Sequence, residues 1–300
     1  YYPNAIARTL KTNRSYNLGV LFQEKRGTGL THSFFASVLD AFKSAGEKRG
    51  YDITFINHHI GWTGMTYLEH CRYRNVDGVC VVCADFYAPE VIELVDSNLP
   101  VVTIDHSFNN RSCVLSDNIG GLKLLVDAAY QKGHRKIADV HGEKSSVTEN
   151  RIIGFYRAMQ EHGLNVNPDF VVEALYDNPA TSMQAVLNLM NRPDPPTCIL
   201  LPDDHSTLGA LQAAKQLNLR VPEDLSLAGY DGIRLTQMLQ PRLTTIEQDT
   251  KRIGAQAAEF LIDRIENPRT AGSETATIPV KLLEGESMGI CPVKADAANS

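Results

Sequence analysis

The sequence predicts an α/β protein made of two doubly wound parallel-sheet lobes with an interlobe cleft. Three observations carry this. Short apolar strands alternate with amphipathic helices along most of the chain, the pattern of parallel sheets covered on both faces. The eight strand–helix units in 300 residues exceed what one open sheet usually holds. A break near Ser116-Asp117-Asn118, and a later segment from Gln240 to Ile246 that reads as a crossing back, divide the units into two groups.

The chain opens on Tyr1-Tyr2-Pro3-Asn4-Ala5-Ile6-Ala7-Arg8-Thr9-Leu10, a short helix that begins at a proline. Proline suits a helix start because its missing N–H would be unsatisfied there anyway. Two turns with no core beneath them are marginal in water, so this helix needs an outside partner to fold. A polar stretch, Lys11-Thr12-Asn13-Arg14-Ser15, follows.

Strands are then predicted at 17–22, 52–56, 78–83, 101–105, 136–141, 170–175, 197–201 and 225–230. Helices are predicted at 33–49, 62–73, 88–97, 119–132, 148–162, 180–191, 204–217 and 247–266. In helix 33–49, Phe34, Phe35, Val38, Leu39, Phe42 and Ala45 form one apolar stripe, closed by Lys48, Arg49 and Gly50. The expected divisions are a helix and linker at 1–15, one lobe at 16–115 plus 245–272, and a second at 116–244 plus 273–300. Helix 247–266 would cover the first lobe, and a strand at 277–283 would join the second. Ligands of open α/β sheets sit at the carboxyl ends of the strands, which two facing lobes would direct into the cleft.

Composition narrows the function. A net charge of −6 argues against a large nucleic-acid surface anywhere but the N-terminal arm, where Arg8, Lys11 and Arg14 cluster. No apolar run is long enough to span a bilayer. No signal peptide opens the chain, and six scattered cysteines suit reduced thiols of the bacterial cytoplasm better than a disulfide framework. Cys80-Val81-Val82-Cys83 looks like a redox or zinc motif, but it lies within a strand, where residues three apart point to opposite faces. No His-Glu-x-x-His, phosphate loop or nucleophile elbow occurs, so no cofactor, metal site or catalytic set is expected.

The ordered motifs of the chain resemble those of the lactose-repressor and galactose-repressor family of bacterial transcription regulators. Tyr1, Pro3, Asn4, Ala7 and Leu10 fall in step with the Tyr-x-Pro-Asn-x-x-Ala-x-x-Leu hinge helix of that family. Val76-Asp77-Gly78-Val79, Ser116-Asp117-Asn118 with Gly120-Gly121, and Gly133-His134-Arg135-Lys136-Ile137 follow in order. Arg151-Ile152-Ile153-Gly154-Phe155, Val221 to Ser226, Gly229-Tyr230-Asp231, and Pro241 to Gln248 complete the set. One such match is weak; the ordered set over essentially the whole chain is strong. The resemblance implies the sugar-binding periplasmic-protein fold. It also implies a repressor body cut just after its helix-turn-helix, with Asn4, Ala7, Arg8 and Leu10 contacting operator DNA. Leu10 would be an apolar wedge in the minor groove.

Arg151 is expected in the first turn of its helix, where its planar fork of donors can grip two vicinal hydroxyls. The bland reading is a surface arginine; the resemblance makes it an effector ligand. Asp231 is either a second effector ligand, accepting two hydroxyl donors, or a turn-former before Gly232. Asp203 and His205 match ligand positions of the family, while Asp204 either binds a hydroxyl or caps the helix. Asp105, with His106, ends a strand in the same way. Phe22, Phe35 (or its neighbour Phe34), Phe86 and Tyr176 lie at strand-to-helix junctions, where they either stack on a sugar ring or fill the core. Three departures from the family pattern bear on which effector is bound. The loop Gln23 to Gly29 is more charged than usual, Gly232 replaces a common acidic residue, and His205 stands where amides are common.

Two functions remain open on the sequence. The leading one is a ligand-controlled transcription regulator, homodimeric through the lobe bearing helices 33–49 and 62–73, or a tetramer. Its effector would be a neutral sugar first, with a purine or sugar phosphate as competitors. The alternative is a sugar-binding protein of the transport type with no DNA role.

Overall fold

The computed structural model describes residues 14–23, 27, 29–60 and 63–292. The expected DNA-contacting residues Asn4, Ala7, Arg8 and Leu10 lie outside the described residues. The chain divides into two units: residues through Ser116 together with Asp249–Ile278, and Asp117–Gln248 together with residues from Pro279 on.

The first stretch runs β1 (Asn17–Phe22), α1 (Ser33–Lys48), β2 (Asp52–Phe55), β3 (His59–Ile60), β4 (Thr63–Gly64) and α2 (Tyr67–Tyr73). It continues with β5 (Gly78–Val82), α3 (Pro89–Asp96), β6 (Val101–Ile104) and β7 (Ser112–Ser116). The second unit follows with α4 (Asn118–Gln131), β8 (Ile137–His141), α5 (Ser146–Glu161), β9 (Val171–Glu173) and α6 (Pro179–Met190). Next come β10 (Cys198–Leu200), α7 (Asp204–Gln216), β11 (Ser226–Ala228) and β12 (Thr245–Gln248). The chain returns to the first unit with α8 (Thr250–Glu266) and β13 (Thr275–Ile278), then ends in the second with β14 (Val280–Leu283).

In the first unit the sheet order is β13-β7-β6-β5-β1-β2, all parallel. Its central strand β5 is buried at every position because both faces are covered, while the edge strands β2 and β13 are more polar. Leu18, Val20, Cys80 and Val82 face one core with α1 and α8, while Leu21, Val79 and Val81 face another with α2 and α3. The strand order reverses between β1 and β5, so the carboxyl ends of those strands form a switch point. The second unit repeats the logic with the parallel order β11-β10-β8-β9 and a switch point between β8 and β10. Ile137, Cys198, Leu200 and Ala228 pack toward α4 and α5, and Ala138, Val140, Ile199 and Leu227 pack under α6 and α7.

Several expectations are corrected. The strand β7 was not expected: its apolar run is only Cys113-Val114-Leu115, bracketed by serines. Residues 247 and 248, expected to open a helix, belong with 245 and 246 to strand β12, and α8 begins after Asp249, whose side chain accepts the Arg252 N–H at 3.0 Å. Helix α2 starts at Tyr67 rather than 62, because Thr66 and Glu69 form a reciprocal capping box there. The expected strand 277–283 is two strands. Pro279, with no N–H for a ladder, separates β13, beside β7, from β14, which pairs antiparallel with β12. The chain therefore crosses between units at 248/249 and 278/279 rather than 244/245 and 272/273. Cys80 is fully buried, and its thiol is pushed up by burial, as a core residue. Among the described residues no group of three or more His, Cys, Asp or Glu is placed to hold a metal, and no helix is long and apolar enough to cross a membrane.

Helices α1 and α8 touch backbone to backbone at Gly254, where an added Cβ would overlap the Val38 carbonyl oxygen. Backbone cannot swing aside as a side chain does. Gly254→Ala is therefore expected to push the helices apart and cost about 1–3 kcal/mol. Thermal unfolding checks this, and an unchanged melting temperature would show that the crossing has room.

Candidate ligand-binding site

In the second unit, loops at the carboxyl ends of β8, β10 and β11 gather the polar residues. Helix α5 starts at Ser146 because Ser145 caps it, accepting the Thr148 N–H at 3.1 Å. That start places Arg151 in the second turn, not the first as expected. Arg151 is buried, with 7% of its surface exposed. Its Nε donates to Asn118 Oδ1 at 2.8 Å, and its Nη1 donates to the Pro202 carbonyl at 2.6 Å. Its guanidinium carbon lies 3.5 Å from the centre of the Tyr230 ring and 5.7 Å from that of Tyr176. A guanidinium over an aromatic face is attracted by the ring quadrupole. The surface-arginine reading is thereby excluded: Arg151 is a fixed, oriented cation.

Asp231 follows β11 in a left-handed backbone conformation, φ +107°, which is costly for a non-glycine residue. Its N–H donates to the Ile246 carbonyl at 2.8 Å, and its Oδ1 accepts from Gln248 Nε2 at 2.7 Å. Burial raises its pKa well above the usual carboxylate range. The Arg151 cation opposes that rise and the Asp203 and Asp204 charges add to it. Asp139, in the middle of β8, is also pushed up, to about 6, by burial, with His141 and Arg151 opposing. Its Oδ2 is buried without a hydrogen-bond partner among the described residues.

The cap of α7 is Asp203, so of the two readings open for Asp204 the capping one does not hold. Asp203 Oδ1 accepts the Ser206 N–H at 2.7 Å, and its Oδ2 accepts from Ser206 Oγ at 2.8 Å and from the Asp177 N–H at 2.7 Å. Asp204 is the first helical residue and turns inward. Its Oδ2 accepts from Ile233 N at 2.8 Å and Thr236 Oγ1 at 2.9 Å, and its Oδ1 accepts from Thr245 Oγ1 at 2.5 Å. Burial pushes its carboxyl up to about 7, against those three hydrogen bonds. His205 is part-exposed, its Nδ1 4.0 Å from Asp177 Oδ1. Tyr176 is half-buried, its ring seated on Gly142 and its hydroxyl 2.9 Å from Thr148 Oγ1.

The first unit carries an aromatic group of its own. Phe22, at the end of β1, meets Phe35, in the first turn of α1, edge-on at 5.7 Å, and His32 lies 4.8 Å from Phe35. Phe34 is core, so Phe35 is the ring nearer the surface. Asp105 ends β6 at φ +68°, and the neighbouring His106 stacks on Phe86 at 4.7 Å with Phe108 at 4.6 Å. The structure thus brings Arg151, Asp231, Asp203 and Tyr176 into one neighbourhood, Phe22 and Phe35 into another, and Asp105 and His106 beside a third ring cluster. Sequence reasoning missed the roles of Asn118, Tyr230, Gln248 and Asp139. The first three sit inside motifs noted for their order, which was the available signal.

Comparison with known proteins identifies this arrangement. Residues 126–288 match the family described as periplasmic binding protein-like domain. The transcriptional repressor PurR of Pectobacterium atrosepticum is 31% identical over 302 residues, covering 98% of this chain and 86% of the repressor. The chain belongs to the lactose-repressor and galactose-repressor (LacI/GalR) family. The ribose operon repressor of Haemophilus influenzae, 33% identical over 277 residues, covers 89% of this chain and 80% of its own length. The fold of this LacI/GalR protein matches that of a transcriptional regulator CelR–cellobiose complex, with TM-score 0.80, 23% identity, and coverage of 94% of this chain and 89% of that one. It also matches a LacI-family regulator of Enterococcus faecium with bound ribose, with TM-score 0.78, 23% identity, and coverage of 91% and 99%. As a LacI/GalR member the chain is a ligand-responsive transcription regulator rather than an enzyme.

Proposed function

We propose that this regulator senses a neutral polyhydroxy effector, a mono- or disaccharide, held by Arg151 and Asp231 of the second unit. The observation that carries the reading is the charge pattern around Arg151. One fixed guanidinium acts on both Asp139 and Asp231, and Asp203 and Asp204 act on Asp231 in turn. Such a surplus of carboxyls repels a phosphate or carboxylate and accepts hydroxyl protons. Arg151 supplies the complementary donors, and Tyr176 supplies an apolar face for a sugar ring. The names of the ribose operon repressor and of the cellobiose-bound and ribose-bound regulators fit a sugar, and the PurR repressors among the relatives make a purine the competitor to test. Bound effector then alters affinity for operator DNA, contacted through residues 1–15 and a DNA-reading domain, in a cytoplasmic homodimer.

A thermal-shift panel of sugars, sugar phosphates and purines tests this. An effector at a hundred times its dissociation constant should stabilise the fold by about 2.7 kcal/mol. The expected result is a neutral sugar that shifts the wild type and shifts neither Arg151→Ala nor Asp231→Ala. A sugar phosphate or purine as the sole hit would overturn the sugar assignment.

A further inference from the structure

We infer that Asp77 is a positioning residue for DNA binding: its carboxylate clamps the chain where residues 1–13 join the first unit, and so fixes how the DNA-contacting arm leaves the body. The inference rests on the reading of the chain as an operator-binding regulator. Asp77 lies immediately before β5. Its Oδ1 accepts from Ser15 N at 2.8 Å and from Ser15 Oγ at 2.9 Å, and its Oδ2 accepts from Tyr16 N at 2.8 Å. Its own N–H donates to the Asn17 carbonyl at 2.9 Å. One carboxylate thus holds two successive backbone N–H groups and a hydroxyl, all by charge-assisted bonds.

The neighbouring residues are bolted down in the same way. Tyr16 is left-handed, φ +57°, a strained state that persists only where its surroundings over-determine it. Its carbonyl accepts from Asp52 N at 2.8 Å, and its ring lies 5.4 Å from that of Tyr51. Arg14 Nη2 donates to the Glu266 carbonyl at 3.0 Å and reaches the Ile265 carbonyl at 3.5 Å. These are the last carbonyls of α8, where the helix dipole is negative and a cation is favoured. Arg49 and Tyr51 hold the Glu266 side chain in turn, at 2.6 Å and 3.3 Å.

Seating β1 in the sheet does not require this clamp, since its ladder to β2 and β5 runs from Asn17 to Phe22. Residues 14–16 lie upstream of that ladder, yet they are fixed to the approach of β5, the start of β2 and the end of α8. The helix α8 has a second property. It begins at Thr250, directly after the chain returns from the second unit. Its 17 residues span about 26 Å. The same rod that receives the chain from the effector-binding unit grips Arg14 at its far end. With residues 14–16 clamped, the point and direction at which the chain enters the first unit are fixed; without the Asp77 bonds they are fixed only from Asn17 on.

The test uses the full-length protein with its DNA-reading domain and a duplex selected from a random pool by the wild type. Asp77→Asn keeps the size but cannot accept from all three donors. It is expected to bind the selected duplex about tenfold more weakly. Its binding to unselected duplex, carried by phosphate contacts, should be unchanged, and its melting temperature should stay within about 2 °C of the wild type. A merely structural aspartate would move the melting temperature and leave the ratio of selected to unselected binding alone. Ser15→Ala removes one bond only and should show a smaller loss of the same kind. Unchanged binding of the selected duplex in Asp77→Asn overturns the clamp. If that variant instead unfolds, unchanged binding in Ser15→Ala overturns it. A wild type that selects no duplex removes the regulator reading itself, and the clamp role with it.

Discussion

Arg151→Ala is expected to weaken effector binding by at least about thirtyfold, because truncating a buried, hydrogen-bonded charge costs about 2–5 kcal/mol. The loss has two parts. The effector loses the one fixed cation of the site. Asn118 Oδ1 and the Pro202 carbonyl also lose the donors that Arg151 holds at 2.8 and 2.6 Å. The Arg151 charge is what opposes the rise of the Asp231 carboxyl. Without it Asp231 should shift further toward its neutral form, and the second ligand changes character as well. Arg151→Lys keeps the charge but presents a compact ammonium. It cannot lie flat on Tyr230 and serve both acceptors with a planar fork, so its affinity should fall between those of the other two proteins. Isothermal titration with the sugar found by the panel measures all three. Wild-type affinity in Arg151→Ala would mean that the guanidinium is a structural brace only.

Asp204→Ala is expected to destabilise the protein by about 3–5 kcal/mol, the range for removing one partner of a buried charged network. The carboxylate joins three stretches: Ile233 N and Thr236 Oγ1 after β11, and Thr245 Oγ1 of β12. Alanine leaves the Ile233 N–H and the Thr245 hydroxyl without the Asp204 acceptor, while the Thr236 hydroxyl keeps the Ile233 carbonyl at 2.9 Å. The pH dependence follows from the raised carboxyl, about 7 against an ordinary 3.8. The folded state binds the proton more tightly than the unfolded chain does. The stabilisation is therefore fully present below about pH 4 and is lost as pH rises from about 4 to about 7. Asp204→Asn has no proton to lose there. Urea unfolding of the wild type minus that of Asp204→Asn should fall across this window by up to about 1.4 kcal/mol per pH unit. A flat difference would show that Asp204 stays charged when folded.

Much of the architecture was legible because burial writes itself into pattern. β5 is apolar at every position, as a strand covered on both faces must be, and α1 carries one apolar stripe. The elements that escaped lacked such a pattern. β7 has three apolar residues between two serines. In β12, Thr245 and Ile246 read as the end of a crossing segment and Glu247 and Gln248 as the start of α8, so the strand is divided until the Asp249 cap is seen. In the candidate site, Arg151 and Asp231 were singled out through the motifs around them, and the structure adds that the Arg151 charge acts on Asp231. Their partners were not legible: Asn118 lies 33 positions from Arg151 and Gln248 lies 17 from Asp231, and no spacing rule encodes such pairings. Which of Asp203 and Asp204 caps the helix was not legible for a simpler reason. Both are aspartates at a helix start, and only the backbone decides. Asp203 is extended, at φ −159° and ψ 171°, as a cap must be, and Asp204 is already helical.

The most direct test of the central claim is operator binding by the full-length protein, followed by fluorescence anisotropy on a pool-selected duplex, with and without the sugar found by the panel. The wild type should change operator affinity by about tenfold or more when the sugar is added, within the usual range of allosteric coupling. Arg151→Ala should bind the duplex but ignore the sugar. If the sugar leaves wild-type affinity unchanged, or moves that of Arg151→Ala equally, then effector control through this site is contradicted.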